Sequence, residues 1–181
     1  MTRRGYVFVT IVAAQVTALL ACIDPAPRLV WNATASAPIG LYAVSSGASP
    51  SVGDLALVMP DRHLAHWLAR RHALPLGVPL IKHVAATAGQ TVCRSGVTIM
   101  IDRRPVASAR THDRAGRQLP VWSGCRRLGS GEIMLLNAAV EDSLDGRYFG
   151  PLSAQGVIGT VRPILTRANS GAPFVWHGWK P

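Results

Sequence analysis

One lysine stands apart in this chain. Lys82 closes the apolar run Val78-Pro79-Leu80-Ile81-Lys82, the other lysine, Lys180, lies at the extreme C-terminus, and seventeen arginines supply the remaining strong cations. Arginine stays protonated at any ordinary pH. A chain that uses arginine habitually and keeps one lysine among apolar residues has set a titratable amine where arginine could not serve. Burial against apolar groups disfavours the ammonium form and brings its pKa toward the range in which the amine accepts a proton. A neutral amine of this kind is a general base, and a serine hydroxyl, weak at neutral pH, is the nucleophile that needs one.

Histidine is the commoner base, and six are present. None sits in a recognisable triad motif, and there is no Gly-x-Ser-x-Gly turn. His63 and His66 fall at i, i+3 on an amphipathic helix predicted over 62–73, where Leu64, Trp67, Leu68 and Leu74 recur at near-helical spacing. Without a third ligand or a zinc-protease signature they read as surface histidines, and neither a metal nor a cofactor is expected.

The elements that must hold such groups are mostly strands. Strand patterns cover 41–44, 54–59, 79–86, 97–102, 132–136 and 157–163, with Arg103-Arg104-Pro105 turning back into Val106 and 110–118 reading as a loop or hairpin. Seventeen glycines and thirteen prolines spread along the 181 residues fit short strands joined by turns better than a helical bundle. The expected fold class is mainly β, with one short helix and one N-terminal transmembrane helix.

That last helix is read from Gly5 to Ile23, nineteen uncharged residues preceded by Arg3 and Arg4. The run is about long enough to cross a bilayer, and the arginines favour a cytoplasmic N-terminus. An uncleaved anchor is preferred over a secretory signal peptide and over a lipoprotein signal in which Leu19-Leu20-Ala21-Cys22 would present Cys22 for acylation. The expected division is a cytoplasmic N-terminus and anchor over 1–23, a proline-bearing linker over 24–30, and an exported domain over 31–181 on the periplasmic side of a bacterial inner membrane. Export would place Cys93 and Cys125 in an oxidising compartment, where a disulfide between them is expected; two free buried thiols are the alternative.

The formal charge of +10 is spread over scattered arginines, with pairs at Arg3-Arg4, Arg70-Arg71, Arg103-Arg104 and Arg126-Arg127. No nucleic-acid-binding motif accompanies them, so nucleic acid is not an expected partner, and the basic face reads as solvated or as lying near anionic lipid headgroups.

Three segments carry a family resemblance. Asn32-Ala33-Thr34-Ala35-Ser36-Ala37-Pro38-Ile39-Gly40-Leu41-Tyr42 resembles the nucleophile box of the TraF-type conjugation signal peptidases, a branch of the signal peptidase I family. The stretch from Pro79 to Val92, with Lys82 and Gly89, is similar to the lysine box. Ser143-Leu144-Asp145-Gly146-Arg147-Tyr148-Phe149-Gly150-Pro151 is similar to the third box, and the three follow in the family's order. The resemblance implies a signal-peptidase-like antiparallel β domain and a serine endopeptidase with a Ser/Lys dyad. Ser36 would be the nucleophile and Lys82 the general base. The Ser36 N–H and the Thr34 hydroxyl would form the oxyanion hole, Ser143 would orient the lysine, and Asp145 and Arg147 would form a structural ion pair. A turn serine at 143 and an ordinary surface pair at 145 and 147 are the competing readings. Gly146 stands where many relatives have serine and is expected to loosen the turn; Gln90 stands where the lysine box often has aspartate. The implied substrates are exported precursors with small residues before the cut, such as a prepilin or another component of a mating apparatus. The alternative is a non-enzymatic exported lipoprotein or structural component of a secretion apparatus, for which Ser36 and Lys82 would be dispensable. A self-cleaving LexA-like protein shares the dyad chemistry, but a membrane run stands here where its DNA-binding domain would be.

Overall fold

The computed structural model describes residues 2–21, 28–47 and 49–179. In chain order the elements are helix α1 (Arg3–Ala21), strands β1 (Leu29–Asn32), β2 (Ile39–Ser46) and β3 (Leu55–Val58), helix α2 (Arg62–Arg70), strands β4 (Leu80–Ala86), β5 (Thr91–Ser95), β6 (Thr98–Ile101), β7 (Arg104–Ser108), β8 (Gly124–Arg127) and β9 (Glu132–Leu135), the single-turn helix α3 (Gly146–Phe149), and strands β10 (Leu152–Ser153), β11 (Val157–Arg167) and β12 (Val175–Trp176).

The strands form two sheets. The larger runs β1-β2-β11-β3-β4-β9-β10, with β12 added to β11; the smaller runs β7-β6-β5-β8. Every pairing among the described residues is antiparallel. The long strand β11 bonds to β2 on one side and β3 on the other, which joins the N-terminal hairpin to the same sheet as β4, the strand carrying Lys82. Tight backbone approach is needed there. A Cβ on Gly40, whose φ is +148°, would lie 2.1 Å from the Leu165 carbonyl oxygen, so only glycine lets β2 reach β11.

Apolar alternation builds the core. Tyr42, Leu57, Ile81 and Val161 pack with Ala37 under the β1–β2 connection; Ala56, Val58, Val84, Ile133 and Leu135 continue it; Val92, Ile99 and Ile101 of the small sheet meet Met134 and Leu136. Helix α2 starts where the Asp61 carboxylate accepts the Leu64 N–H at 2.9 Å, as a helix N-cap does, and it buries Leu64 and Leu68 one turn apart. Its Trp67 meets Phe149 of α3 edge to face at 5.2 Å.

Some expectations change. Among the described residues no helix is long and apolar enough to cross a membrane. Helix α1 spans Arg3–Ala21, the rest of the expected apolar run lies outside the described residues, and Tyr6, Phe8, Val9 and Ile11 are exposed on the helix. Cys22 and residues 24–27 of the expected linker lie outside the described residues, and β1 begins at Leu29. A second helical turn, α3, joins α2. Cys93 and Cys125 are bonded and pair directly across β5 and β8.

The disulfide closes a loop with a sequence separation of 32 on an otherwise exposed edge strand. Its removal in a Cys93→Ser/Cys125→Ser variant is expected to cost about 3–4 kcal/mol by loop entropy. Urea unfolding of the full chain in detergent, with and without reductant, checks this. The wild type should fall to the variant's midpoint on reduction, whereas the variant should not respond.

Candidate active site

The β1–β2 connection, residues 33–38, is laced from inside by one amide. Asn32 Nδ2 donates to the carbonyls of Thr34, Ala37 and Pro38 at 2.9, 3.0 and 3.0 Å. Its Oδ1 accepts from the Thr34 N–H at 3.1 Å and the Thr34 hydroxyl at 2.9 Å. Tyr42 adds a hydrogen bond from its hydroxyl to the Pro38 carbonyl at 2.6 Å, and Ala37 is buried in the core. The loop is thereby fixed with Ser36 half-buried. Ser36 Oγ lies 3.2 Å from Thr34 Oγ1. The Thr34 hydroxyl has committed its one hydrogen to Asn32, so it is the Ser36 hydroxyl that donates in this pair.

Lys82 sits at the centre of the large sheet. Strand β4 bonds to β3 through Lys82 and Ala56, and to β9 through Val84 and Leu135. The side chain is 3% exposed. Its Nζ donates to Ser143 Oγ at 2.7 Å. Burial lowers the amine from 10.5 to about 8; the Asp145 charge opposes this and the Arg147 charge adds to it. An amine in that range exchanges its proton near neutral pH.

The segment after β9 supplies the backing. Ser143 is buried, and its N–H closes a turn onto the Val140 carbonyl while its hydroxyl receives the lysine. Asp145 and Arg147 form a fully buried fork, with Nε to Oδ1 at 2.9 Å and Nη2 to Oδ2 at 3.2 Å, which the surface reading of this pair does not describe. Arg147 also holds the carbonyls of Asn137, Glu141 and Ser108, and Arg94 from β5 donates to the Arg147 carbonyl at 2.6 Å. Gly146 is a packing requirement and not a loosened turn: a Cβ there would sit 2.7 Å from Met134 Sδ and 2.8 Å from the Leu135 carbonyl. Gln90 takes a purely local role, donating to Asp102 at 2.9 Å and accepting the Thr87 N–H at 3.0 Å.

Asn137 joins the three segments. Its Oδ1 accepts the His83 N–H at 2.9 Å, next to Lys82; its Nδ2 donates to the Ser36 carbonyl; its own N–H donates to Asp145 at 3.0 Å. Sequence reasoning missed this residue, and it gave Asn32 no role beyond its box. Both are asparagines at strand ends beside a loop, where an amide can cap several backbone groups, and that is the signal that could have found them.

Thr34, Ser36, Lys82 and Ser143 line one cleft of about 710 Å³. Asp145 and Arg147 stand behind it. The Cys93–Cys125 bond lies outside its lining, as do His63 and His66 on α2. Among the described residues, Ser36 Oγ bonds to Thr34 and Lys82 Nζ to Ser143, with no hydrogen bond between Ser36 Oγ and Lys82 Nζ. Such contacts often tighten only when substrate arrives.

The model of a family described as signal peptidase, peptidase S26, matches residues 1–166. A probable conjugal transfer protein TraF of Sinorhizobium fredii is 36% identical over 145 residues, covering 76% of this chain and 77% of that one. A conjugal transfer protein TraF of Agrobacterium tumefaciens is 34% identical over 177 residues, covering 91% and 97%. A plasmid transfer protein TraF of Escherichia coli is 28% identical over 165 residues, covering 86% and 93%. Among solved structures, a signal peptidase I of Enterococcus faecalis aligns over 64% of this chain and 98% of that one, with a TM-score of 0.38 and 16% identity.

The buried amine makes a stability prediction. Between pH 8 and 10.5 the unfolded chain holds a proton on Lys82 that the folded chain has released, so stability rises with pH across that window. The rise attributable to Lys82 is expected to be about 3 kcal/mol. Urea midpoints of wild type and Lys82→Met at pH 7.5 and pH 10 measure it. The wild type should gain stability over the methionine variant, and an equal response in both would remove Lys82 as the source.

Proposed function

The chain belongs to the signal peptidase family, peptidase S26, and we propose that it is a serine endopeptidase that cleaves exported precursors through a Ser36–Lys82 dyad. The observation that carries this reading is a buried amine brought down to about 8, held on Ser143, and lining the same cleft as Ser36. The relatives named as conjugal transfer proteins support a role in conjugation, and the substrate in this reading is a pilin precursor or another exported component of a conjugation apparatus. The apolar run at 5–23, preceded by two arginines, and the exposed apolar side chains of α1 support placement at the bacterial inner membrane with the catalytic domain on the periplasmic side.

In the reaction, Ser36 Oγ attacks the scissile carbonyl and its proton passes to neutral Lys82 Nζ. For this the Ser36 hydroxyl turns from Thr34 toward the amine. The Ser36 N–H, which bonds to no described residue, meets the developing oxyanion, and the Thr34 hydroxyl joins it by turning its hydrogen away from Asn32. Lys82 then returns the proton to the leaving amine. Water, deprotonated by the same amine, releases the acyl group from Ser36. Ser143 keeps the amine aimed at the cleft throughout, and the Asp145–Arg147 pair holds the segment that carries Ser143.

Co-expression of a candidate pilin precursor with wild type, Ser36→Ala, Lys82→Ala and Thr34→Val, read by mass spectrometry, tests the assignment. Wild type should shorten the precursor, and the two dyad variants should lose all detectable cleavage. Thr34→Val should lower kcat about 100-fold with Thr34→Ser retaining most of it. With a purified peptide, kcat/KM should rise with pH through a midpoint near 8, because only the neutral amine is a base. Dyad variants that cleave as well as wild type would sink the reading.

A further inference from the structure

The cleft does not end at the dyad. Its lining continues to two arginine–aspartate clusters that the chemistry above leaves unused. In one, Asp113 accepts from Arg71 Nη1 at 2.9 Å and from Arg117 Nε at 2.8 Å. In the other, Asp142 accepts from Arg110 Nη1 at 2.6 Å and from Arg114 Nε at 2.7 Å. Each carboxylate serves two guanidinium groups, so each cluster holds one positive charge in surplus. Structural pairing would need only one arginine per aspartate. The Arg114 side chain is 83% exposed, that of Arg110 51% and that of Arg117 43%, which leaves N–H donors facing the open cleft. Asp142 also directly precedes Ser143, so one cluster is tied by the backbone to the residue that holds the lysine. Guanidinium forks select carboxylates by geometry as well as charge.

We propose that this arm of the cleft binds an acidic segment of the precursor close to the scissile bond, its carboxylates pairing with the surplus guanidinium groups of Arg110, Arg114 and Arg117. The inference rests on the proteolytic reading and adds a substrate class to it. A peptide is favoured over a lipid headgroup because the arginines share their cleft with Ser36 and Lys82. The groups lining the arm also include His72 and His112.

The test uses the full chain in neutral detergent and a fluorescent peptide pair of small residues, identical except for two Glu→Gln changes, each made with a free and an amidated C-terminus. Binding to the Ser36→Ala variant is read by anisotropy, and cleavage by wild type is followed separately. The glutamate peptide should bind about three- to tenfold more tightly at low salt, with the gap closing near 0.5 M salt. The amidated series shows whether side-chain or terminal carboxylates are read. Arg114→Glu and, independently, Arg117→Glu should abolish or reverse the preference, and in cleavage it should lie in KM and not kcat. Equal binding of both peptides overturns the proposal. So does an Arg114→Glu variant that loses capture by anionic vesicles with the peptide ratio unchanged, which would assign the arm to lipid. Charge-selective binding without cleavage would leave this inference standing and count against the dyad; cleavage without charge preference would do the reverse.

Discussion

An ammonium group removed from water is unfavourable, and the architecture around Lys82 is organised by that fact. The residue lies on a strand paired on both sides and is buried, and among the described residues its amine has one hydrogen-bond partner, the Ser143 hydroxyl. A carboxylate in that place would have favoured the charged form. The chain instead sets Asp145 behind, engaged by Arg147, so its charge acts on the amine only at a distance and against an opposing one. An amine brought down to about 8 follows from this arrangement of burial and offset charges. The buried Asp145–Arg147 pair is itself demanding: removing one partner of such a pair typically costs about 3–5 kcal/mol. Its return is positional, since Arg147 holds three backbone carbonyls of the segment carrying Ser143 and of the neighbouring β7.

Two asparagines convert that rigid backing into a register between Ser36 and Lys82. Asn32 fixes the loop bearing Ser36, and Asn137 ties the Ser36 carbonyl to the Lys82 strand and to Asp145. Each of these links engages a buried or part-buried backbone group, where a hydrogen-bond partner is needed. The small sheet contributes from outside through Arg94, which reaches the Arg147 carbonyl. A change remote from the cleft can therefore move the segment that carries Ser143.

Much of this was legible in the residues. The lone lysine in an apolar run announced a titratable amine, and the strands with clear apolar alternation, β2, β3, β4, β6, β9 and β11, were located within a few residues. What was not legible has particular causes. Strand β8 is Gly124-Cys125-Arg126-Arg127, exposed at every position, and β5 contains the buried Arg94; neither shows an apolar period, and both are strands because β6 and the Cys93–Cys125 bond hold them. Strand β1 follows two prolines and reads as a continuation of a linker until β2 pairs with it. The role of Gly146 depends on Met134, twelve residues away, whose sulfur fills the space a side chain would need. Asn137 acts through contacts to segments 54 and 101 residues distant, which no local pattern carries.

On the proposed reading, Lys82 serves as a base because burial disfavours its ammonium form. The chain holds only two lysines, so a Lys180→Arg variant grown with carbon-13 lysine leaves a single εCH₂ signal whose shift follows the protonation of Lys82 alone. Titrated by NMR in detergent, that signal is predicted to move with a midpoint near 8. A midpoint at about 10.4, the value of an unperturbed lysine, would contradict the account.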